Sequence, residues 1–397
     1  MNSAVLIDIV RTPSGKGKPG GALSGTHPAD LLATVLHALT DRNGLDPAVV
    51  EDVIVGCVSQ AGEQSVNIAR TAVLAAGFPE SVPATTIDRQ CGSSQQAVQF
   101  AAQAIMAGTS DVLIAAGVES MSRVPMFSPT MGKDPNNAPL RGRYPDGLVS
   151  QGIAAELLAS RWKLDREVLD AYAERSHRLA ATVAADQAAD QIIAIEVPTD
   201  DGGGSRIVDT DETVRPATNL DSLAKLKPVF YSEDHAARFP EISWSITAGN
   251  SSPLTDGASA ALIMSEQKAN SLGLRPRARF HSFAVTGSDP LLMLDGVIPA
   301  TEKALARIDL SINDIDAFEV NEAFAPVPLL WQRHFAVETE RLNPAGGAIA
   351  LGHPLGASGT RLLASLLTYL EHTGGRFGLQ TMCEGGGMAN ATIIERL

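Results

Sequence analysis

Short apolar runs alternate along the chain with longer stretches in which alanine and leucine recur every three or four positions. Ala4–Val10 predicts a strand. Pro28–Asp41 predicts a helix, with Thr26 or His27 near its start. The order then repeats: strand Asp52–Cys57, helix Asn67–Ala76 ended by Gly77, strand Ala84–Asp88, helix Gly92–Ala107, strand Asp111–Val118. Such alternation predicts a mostly parallel sheet with right-handed crossovers.

The pattern breaks from Arg123 to about Tyr144, where proline, glycine and asparagine occur without periodicity and predict loop. Helices are expected at Ile153–Trp162 and Arg166–Ala188, the second opened by Asp165 as N-cap. Asp200–Arg206 (DDGGGSR) predicts a turn or linker. Residues 123–250 therefore read as an insertion in a first domain. A second α/β run begins near Arg277 and follows the order of the first. With Asp52 of EDVIVGCVSQ (51–60) aligned on Asp316 of INDIDAFEVNEAF (312–324), Cys57 falls opposite Asn321. DVLIAAGVES (111–120) likewise matches FGLQTMCEGG (377–386). Two such units packed together put matching loops around one cleft, beyond the carboxyl ends of the strands.

The chain has 397 residues, long enough for two or three domains. With 44% hydrophobic and 19% charged residues it has the means to bury a core. A net charge of −14 argues against nucleic acid or an anionic membrane as the main partner. No apolar run approaches the roughly 18 residues of a membrane helix. The start MNSAVLIDIV lacks a basic region and carries Asp8, so it does not read as a signal peptide. Three scattered cysteines, Cys57, Cys91 and Cys383, do not make a disulfide framework and point to a reducing cytoplasm. Gly15–Gly20 fits G-x-G-x-x-G, but no helix opens on it, so dinucleotide binding is not expected. Walker, H-E-x-x-H and paired C-x-x-C motifs are missing, and no metal site is expected.

Cys91 opens the helix at 92–107. Free N–H groups and partial positive charge there lower a thiol pKa, which suits a nucleophile; the alternative is a buried structural cysteine. His353 lies among glycines in GGAIALGHPLGASG (346–359) and suits a base or an oxyanion donor, or simply a turn residue. Cys383 precedes three glycines whose N–H groups suit an oxyanion hole, the alternative being a bulge with an inert thiol. Asn321, at a strand end, is placed to position water or donate to an enolate. Cys57 reads as packing.

Taken together, DRQCGSSQQA (88–97), TAGNSSPLTDGASA (247–260), NEAFA (321–325), GGAIALGHPLGASG and CEGGG (383–387) resemble the thiolase family in order and spacing, over essentially the whole chain. The resemblance implies a five-layer αβαβα fold of two similar α/β halves, 1–122 with 251–274 and 275–397, with 123–250 an inserted loop domain, in a homodimer or homotetramer. It implies that Cys91 is acylated and that His353 activates it. Cys383 is then the acid and base at the acetyl α-carbon, and Asn321 holds a water that helps His353 stabilise an enolate. The N–H groups of Cys91 and Gly385 form a second oxyanion hole. Arg215, Ser222 and Ser252 resemble coenzyme A contacts, coenzyme A being a substrate and no separate cofactor being implied. Ser150-Gln151-Gly152 stands where short-chain biosynthetic relatives have His-Met-Gly, and Tyr231–Ser245 looks longer than in compact members. Both point to a degradative enzyme taking a larger 3-ketoacyl-CoA, of the fatty-acid or steroid type. The competing readings are a ketoacyl-synthase-type condensing enzyme, a non-catalytic thiolase-like protein binding CoA or lipid, and an NAD-dependent dehydrogenase.

Overall fold

The computed structural model describes residues 3–198 and 203–397. Its strands are β1 (Ala4–Arg11), β2 (Gly15–Lys16), β3 (Asp52–Gly56), β4 (Ala84–Ile87), β5 (Val112–Ser120), β6 (Ile195–Pro198), β7 (Ser205–Val208), β8 (Thr255–Ser265), β9 (Ala278–Gly287), β10 (Ala317–Val320), β11 (Phe377–Glu384) and β12 (Met388–Arg396). The helices are α1 (Pro28–Arg42), α2 (Ile68–Ala75), α3 (Ser93–Ala107), α4 (Ala138–Arg143), α5 (Gln151–Arg161), α6 (Arg166–Leu179), α7 (Ala188–Gln191), α8 (Leu220–Ala224), α9 (Glu233–Arg238), α10 (Glu266–Ser271), α11 (Val297–Leu305), α12 (Pro326–Phe335), α13 (Ala348–Leu351) and α14 (Ser358–Thr373).

One sheet runs β10-β11-β12-β9-β1-β8-β5-β3-β4, with β2 added beside β8. With β4 set aside at one edge, β3-β5-β8-β1 mirrors β10-β11-β12-β9 read inward from the other. Only β3–β4, β3–β5 and β10–β11 pair in parallel. The expectation of a mostly parallel sheet is therefore corrected. β12 follows β11 through Gly385–Gly387, and so short a connection permits only antiparallel pairing. Gly386 and Gly387 sit at φ +83° and +77°, where a side chain would be strained. β8 enters antiparallel between β1 and β5.

Side-chain alternation on the strands builds the layers. Val53 and Val55 of β3 face the core under α1 and α2, while Ile54 faces α3. On β5, Ile114 and Ala116 face outward, and Leu113 and Ala115 inward. Phe318 and Val320 of β10 face the core under α11 and α12, while Ala317 joins α3 and α14. Two outer helix layers, two halves of sheet and the central pair α3 and α14 make the αβαβα stack. This phase also corrects the internal alignment. Cys57 points outward like Val53 and Val55, which is the place of Val320 and not of Asn321. A one-residue slip exchanges the faces of a strand.

Most expected helices form where the pattern put them. His27 caps α1 by accepting from the Ala29 N–H at 3.2 Å, and Asp165 caps α6 by accepting from Val168 at 2.9 Å. The expected helix Arg166–Ala188 is shorter: α6 ends at Leu179 and a π-helical turn covers Ala180–Ala184. Gly346, at φ +79°, reaches this point; a Cβ there would lie 2.6 Å from the Ser176 carbonyl oxygen. The loop at 123–144 carries the short α4. Of the turn expected at Asp200–Arg206, Asp200–Gly202 lie outside the described residues, and Ser205 and Arg206 belong to β7, which pairs with β6. At the rejected dinucleotide motif, Gly15 and Lys16 pair with β8, and no helix opens before Pro28.

Candidate active site

Cys91 is buried just before α3. It packs with Met382 of β11, Leu362 of α14 and Leu355, which follows His353 by two residues. The Gln151 amide lies near enough to its sulfur to favour the thiolate. The expected lowering of its pKa does not occur. Burial first, then the Glu384 carboxylate, push the thiol up to about 12, outweighing Gln151 and the helix start. At rest Cys91 is a neutral thiol.

Cys383 is buried at the end of β11, and the proximity of Cys91 helps raise its pKa well above the usual thiol value, after desolvation. Both thiols therefore keep their protons at neutral pH, and neither forms a disulfide.

His353 sits between α13 and α14. Its N–H donates to Thr255 Oγ1 at 2.9 Å. Its Nδ1 lies 2.5 Å from Ser358 Oγ, which itself donates to the Pro354 carbonyl at 2.8 Å. Because the single Ser358 hydrogen is used on Pro354, Nδ1 carries the imidazole proton and Nε2 the lone pair. Nε2 faces Asn321 Nδ2 at 3.4 Å. Burial first, and the Arg361 guanidinium second, hold the His353 pKa down to about 3, so the ring is a neutral base. Asn321 Oδ1 is buried and has no protein partner, which fits a held water.

Gly385 follows at the β11 turn. A Cβ there would lie 3.3 Å from Gln151 Nε2, so Gln151 reaches both Cys91 and this turn. The four motifs thus come together as two pairs, Cys91 with Cys383 and His353 with Asn321, and Leu355, two residues after His353, packs on Cys91. Ser252 donates to the Ala323 carbonyl at 3.1 Å beside the Asn321 loop. Arg215 and Ser222 are exposed on the 123–250 segment, where Ser222 completes the capping box of α8 with Asn219. Among the described residues, no group of three or more His, Cys, Asp or Glu is arranged to hold a metal, and no helix is long and apolar enough to cross a membrane.

The thiolase N-terminal domain family matches residues 4–267, and the thiolase C-terminal domain family matches 274–396. The chain belongs to the thiolase family. A steroid 3-ketoacyl-CoA thiolase of Mycobacterium tuberculosis is 48% identical over all of this chain and 95% of its own length. A 3-ketoacyl-CoA thiolase of Pseudoalteromonas translucida is 44% identical over all of both. The crystal structure of the Bacillus anthracis acetyl-CoA acetyltransferase superposes with a TM-score of 0.88 at 36% identity, over all of this chain and 99% of that one.

Three groups around the thiolase centre escaped the sequence reading. Ser358 fixes the His353 tautomer. Its signal was its place five residues on, within the same glycine-rich motif. Gln151 was read only as a departure near the acyl pocket, yet its amide favours the Cys91 thiolate. Glu384 was quoted inside CEGGG and given no role.

Proposed function

We propose that this thiolase cleaves a 3-ketoacyl-CoA with free CoA, giving acetyl-CoA and an acyl-CoA two carbons shorter, through an acyl group carried on Cys91. The observation that carries this reading is a pair of buried neutral thiols, Cys91 near enough to Cys383 to raise its pKa, in one site with a buried neutral imidazole whose Nε2 faces only the Asn321 amide. Cleavage between Cα and Cβ needs all three. His353 Nε2 takes the Cys91 proton as sulfur attacks the ketone, so no thiolate has to persist in a dry site. The Cα–Cβ bond breaks, the acyl group stays on Cys91, and the electron pair leaves as the enolate of acetyl-CoA. Cys383 protonates that carbon. His353, now a cation, and the Asn321 amide face the enolate oxygen, and N–H groups of Cys91 and Gly385 serve the other oxyanion. The Cys383 thiolate then takes the proton of the CoA thiol as that sulfur attacks the acyl group, and the His353 cation returns its proton to the departing Cys91 sulfur, so that both thiols and the neutral imidazole are restored. The reverse sequence joins two acetyl units.

A ketone larger than the four-carbon one is part of the proposal. Residues 231–245 fold onto α5, with Phe239 and Ile242 against Ile153 and Leu157, and Glu156 accepting from the Ser245 and Ile246 N–H groups at 2.9 and 2.8 Å. α5 begins with Gln151, so this added segment backs the wall beside the nucleophile. The steroid enzyme named above supports the same direction. Arg215, Ser222 and Ser252 as CoA contacts, a cytoplasmic homodimer or homotetramer, and the division into 1–122 with 251–274, 123–250 and 275–397 complete the reading.

A panel of 3-ketoacyl-CoA thioesters of rising acyl size, assayed with CoA by thioester absorbance, tests it. Activity is expected on medium or bulky acyl groups; turnover confined to the four-carbon substrate overturns the size assignment. In single-turnover labelling, Cys91→Ala is expected to form no acyl-enzyme. Cys383→Ala should still accept an acyl group from acyl-CoA while thiolysis falls at least about a hundredfold, the scale of a lost general acid. Equal behaviour of the two variants contradicts the division of roles.

A further inference from the structure

Glu384 follows Cys383 on β11, so the two side chains point to opposite faces of the strand. Its own face meets the first turn of α3. A Cβ built on Gly92 would lie 2.1 Å from Glu384 Oε1 and 2.7 Å from Asn390 Nδ2. Only a residue without a side chain lets this carboxyl reach the backbone immediately after Cys91. Asn390 Nδ2 donates to the Gly92 carbonyl at 3.1 Å and completes the wall.

Glu384 is fully buried, and neither of its carboxyl oxygens has a hydrogen-bond partner. Two other buried carboxylates differ. Glu119 accepts from the N–H groups of Val58, Ser59 and Gly356 and from Gln64. Glu322 accepts from Tyr172, Ser176, Asn343 and Ile349. A buried carboxylate without donors costs several kcal/mol unless it keeps its proton. The groups facing Glu384 are the Cys91 thiol, the Arg89 cation and Asp88 from the β4–α3 turn, and neutral Asn390 on β12; the Cys383 thiol, on the other face of β11, has its own pKa raised by Glu384. Glu119 of β5 also bears on Cys91.

We propose that Glu384 is a positioning residue that sets the proton affinity of Cys91: neutral, it leaves the thiol able to ionise, and ionised, it suppresses the nucleophile. Burial pushes its carboxyl up to about 8, with Arg89 opposing and Asp88 adding. The protonated form therefore dominates at neutral pH and is lost as pH rises through 8. Above that point a negative charge stands behind the sulfur, the Cys91 pKa climbs, and reactivity gained from alkali is partly cancelled. The proposal rests on Cys91 being the nucleophile.

The test is the pH profile of iodoacetamide alkylation of the intact protein, read peptide by peptide by mass, for the unmodified enzyme and Glu384→Gln. Cys57 is the internal reference. At pH 6.5 the two proteins should alkylate Cys91 at rates equal within about twofold. At pH 9.5 Glu384→Gln should be roughly three- to tenfold faster, since one unit of thiol pKa is tenfold in thiolate. In the unmodified enzyme alone, log rate against pH should bend to a shallower slope near pH 8. That bend decides the matter even if the variant does not fold. A straight profile in the unmodified enzyme, or parallel profiles in both proteins, overturns the role of Glu384. Cys91 reacting no faster than Cys57 in either protein instead overturns its assignment as nucleophile.

Discussion

The same place in the topology, the turn entering a central helix, carries Cys91 before α3 and His353 before α14, and the two turns are built differently. In the first half β4 is a full strand beside β3. Asp88–Gly92 then enters α3 on local bonds. The Gln90 N–H donates to Asp88 at 2.6 Å, and the Arg89 N–H to Ser93 Oγ at 2.9 Å. In the second half the open side of β10 receives one bridge, Phe318 to Leu342, and residues 344–357 wander before α14. Side chains replace the missing strand. Asn343 takes the Val320 N–H and returns a bond to its carbonyl, both at 2.8 Å. Glu322 ties Asn343, Tyr172, Ser176 and the Ile349 N–H together. A short turn fixes a thiol that must hold still against a helix end. A long loop carries an imidazole out to face Asn321, and so needs a polar frame. The largest expected effect follows from this. Glu322→Ala orphans four buried donors at about 1 kcal/mol or more each, so urea unfolding should show a loss near 4 kcal/mol. Ser93→Ala, which loosens the other turn, should lose about 1 kcal/mol. Equal losses would mean that the halves are braced alike.

Glycine contacts sharpen the same contrast at a smaller scale. Inside a helix alanine is intrinsically better than glycine by about 1 kcal/mol, so at Gly359 any loss on substitution comes from the neighbour met. A Cβ at Gly359, in the first turn of α14, would lie 2.1 Å from the backbone nitrogen of Gln95. The main chain of α3 or α14 must then move, and Gly359→Ala should cost about 3 kcal/mol. A Cβ at Gly92 meets the end of the Glu384 side chain instead, which can turn away. Gly92→Ala should cost about 1 kcal/mol. Thermal melts of the two variants compare them directly.

What could be read from the chain divides along similar lines. β3, α3 and β5 stand out because apolar period, capping glycine and strand length all agree there. Sheet direction was not legible. Nothing local in Thr255–Ser265 tells that it will enter antiparallel between β1 and β5. The internal alignment of Cys57 with Asn321 slipped by one residue, because matching aspartates carry no information about which face follows. In the site, the short motifs marked Cys91, His353, Cys383 and Asn321 by type. The ionisation of Cys91 was misread, because a helix start is visible in sequence while complete burial and a distant carboxyl on β11 are not. The surroundings of Glu384, Gln151 and Ser358 exist only in the assembled cleft.

The smallest expected effect on stability concerns the fine setting of each reactive group by one neighbour. Ser358→Ala removes the acceptor of the His353 Nδ1 proton and one of the two donors to the Pro354 carbonyl, which keeps the Ala357 N–H. Only one neutral bond on each side is lost, so stability should fall by about 1 kcal/mol. The imidazole, however, becomes free to rotate and to exchange tautomers, and half of its forms present the wrong nitrogen to sulfur. The catalytic constant should fall about tenfold, a fraction of the 10²- to 10⁴-fold that general base catalysis supplies, with little change in KM. Gln151→Ala, the matching change at Cys91, removes a donor that favours the thiolate. It should slow alkylation of Cys91 and leave His353 untouched. Steady-state kinetics and iodoacetamide rates on both variants then separate two kinds of activation, an oriented base in one half and a stabilised sulfur in the other. If Ser358→Ala slows alkylation while Gln151→Ala spares it, the two halves do not divide the work in this way.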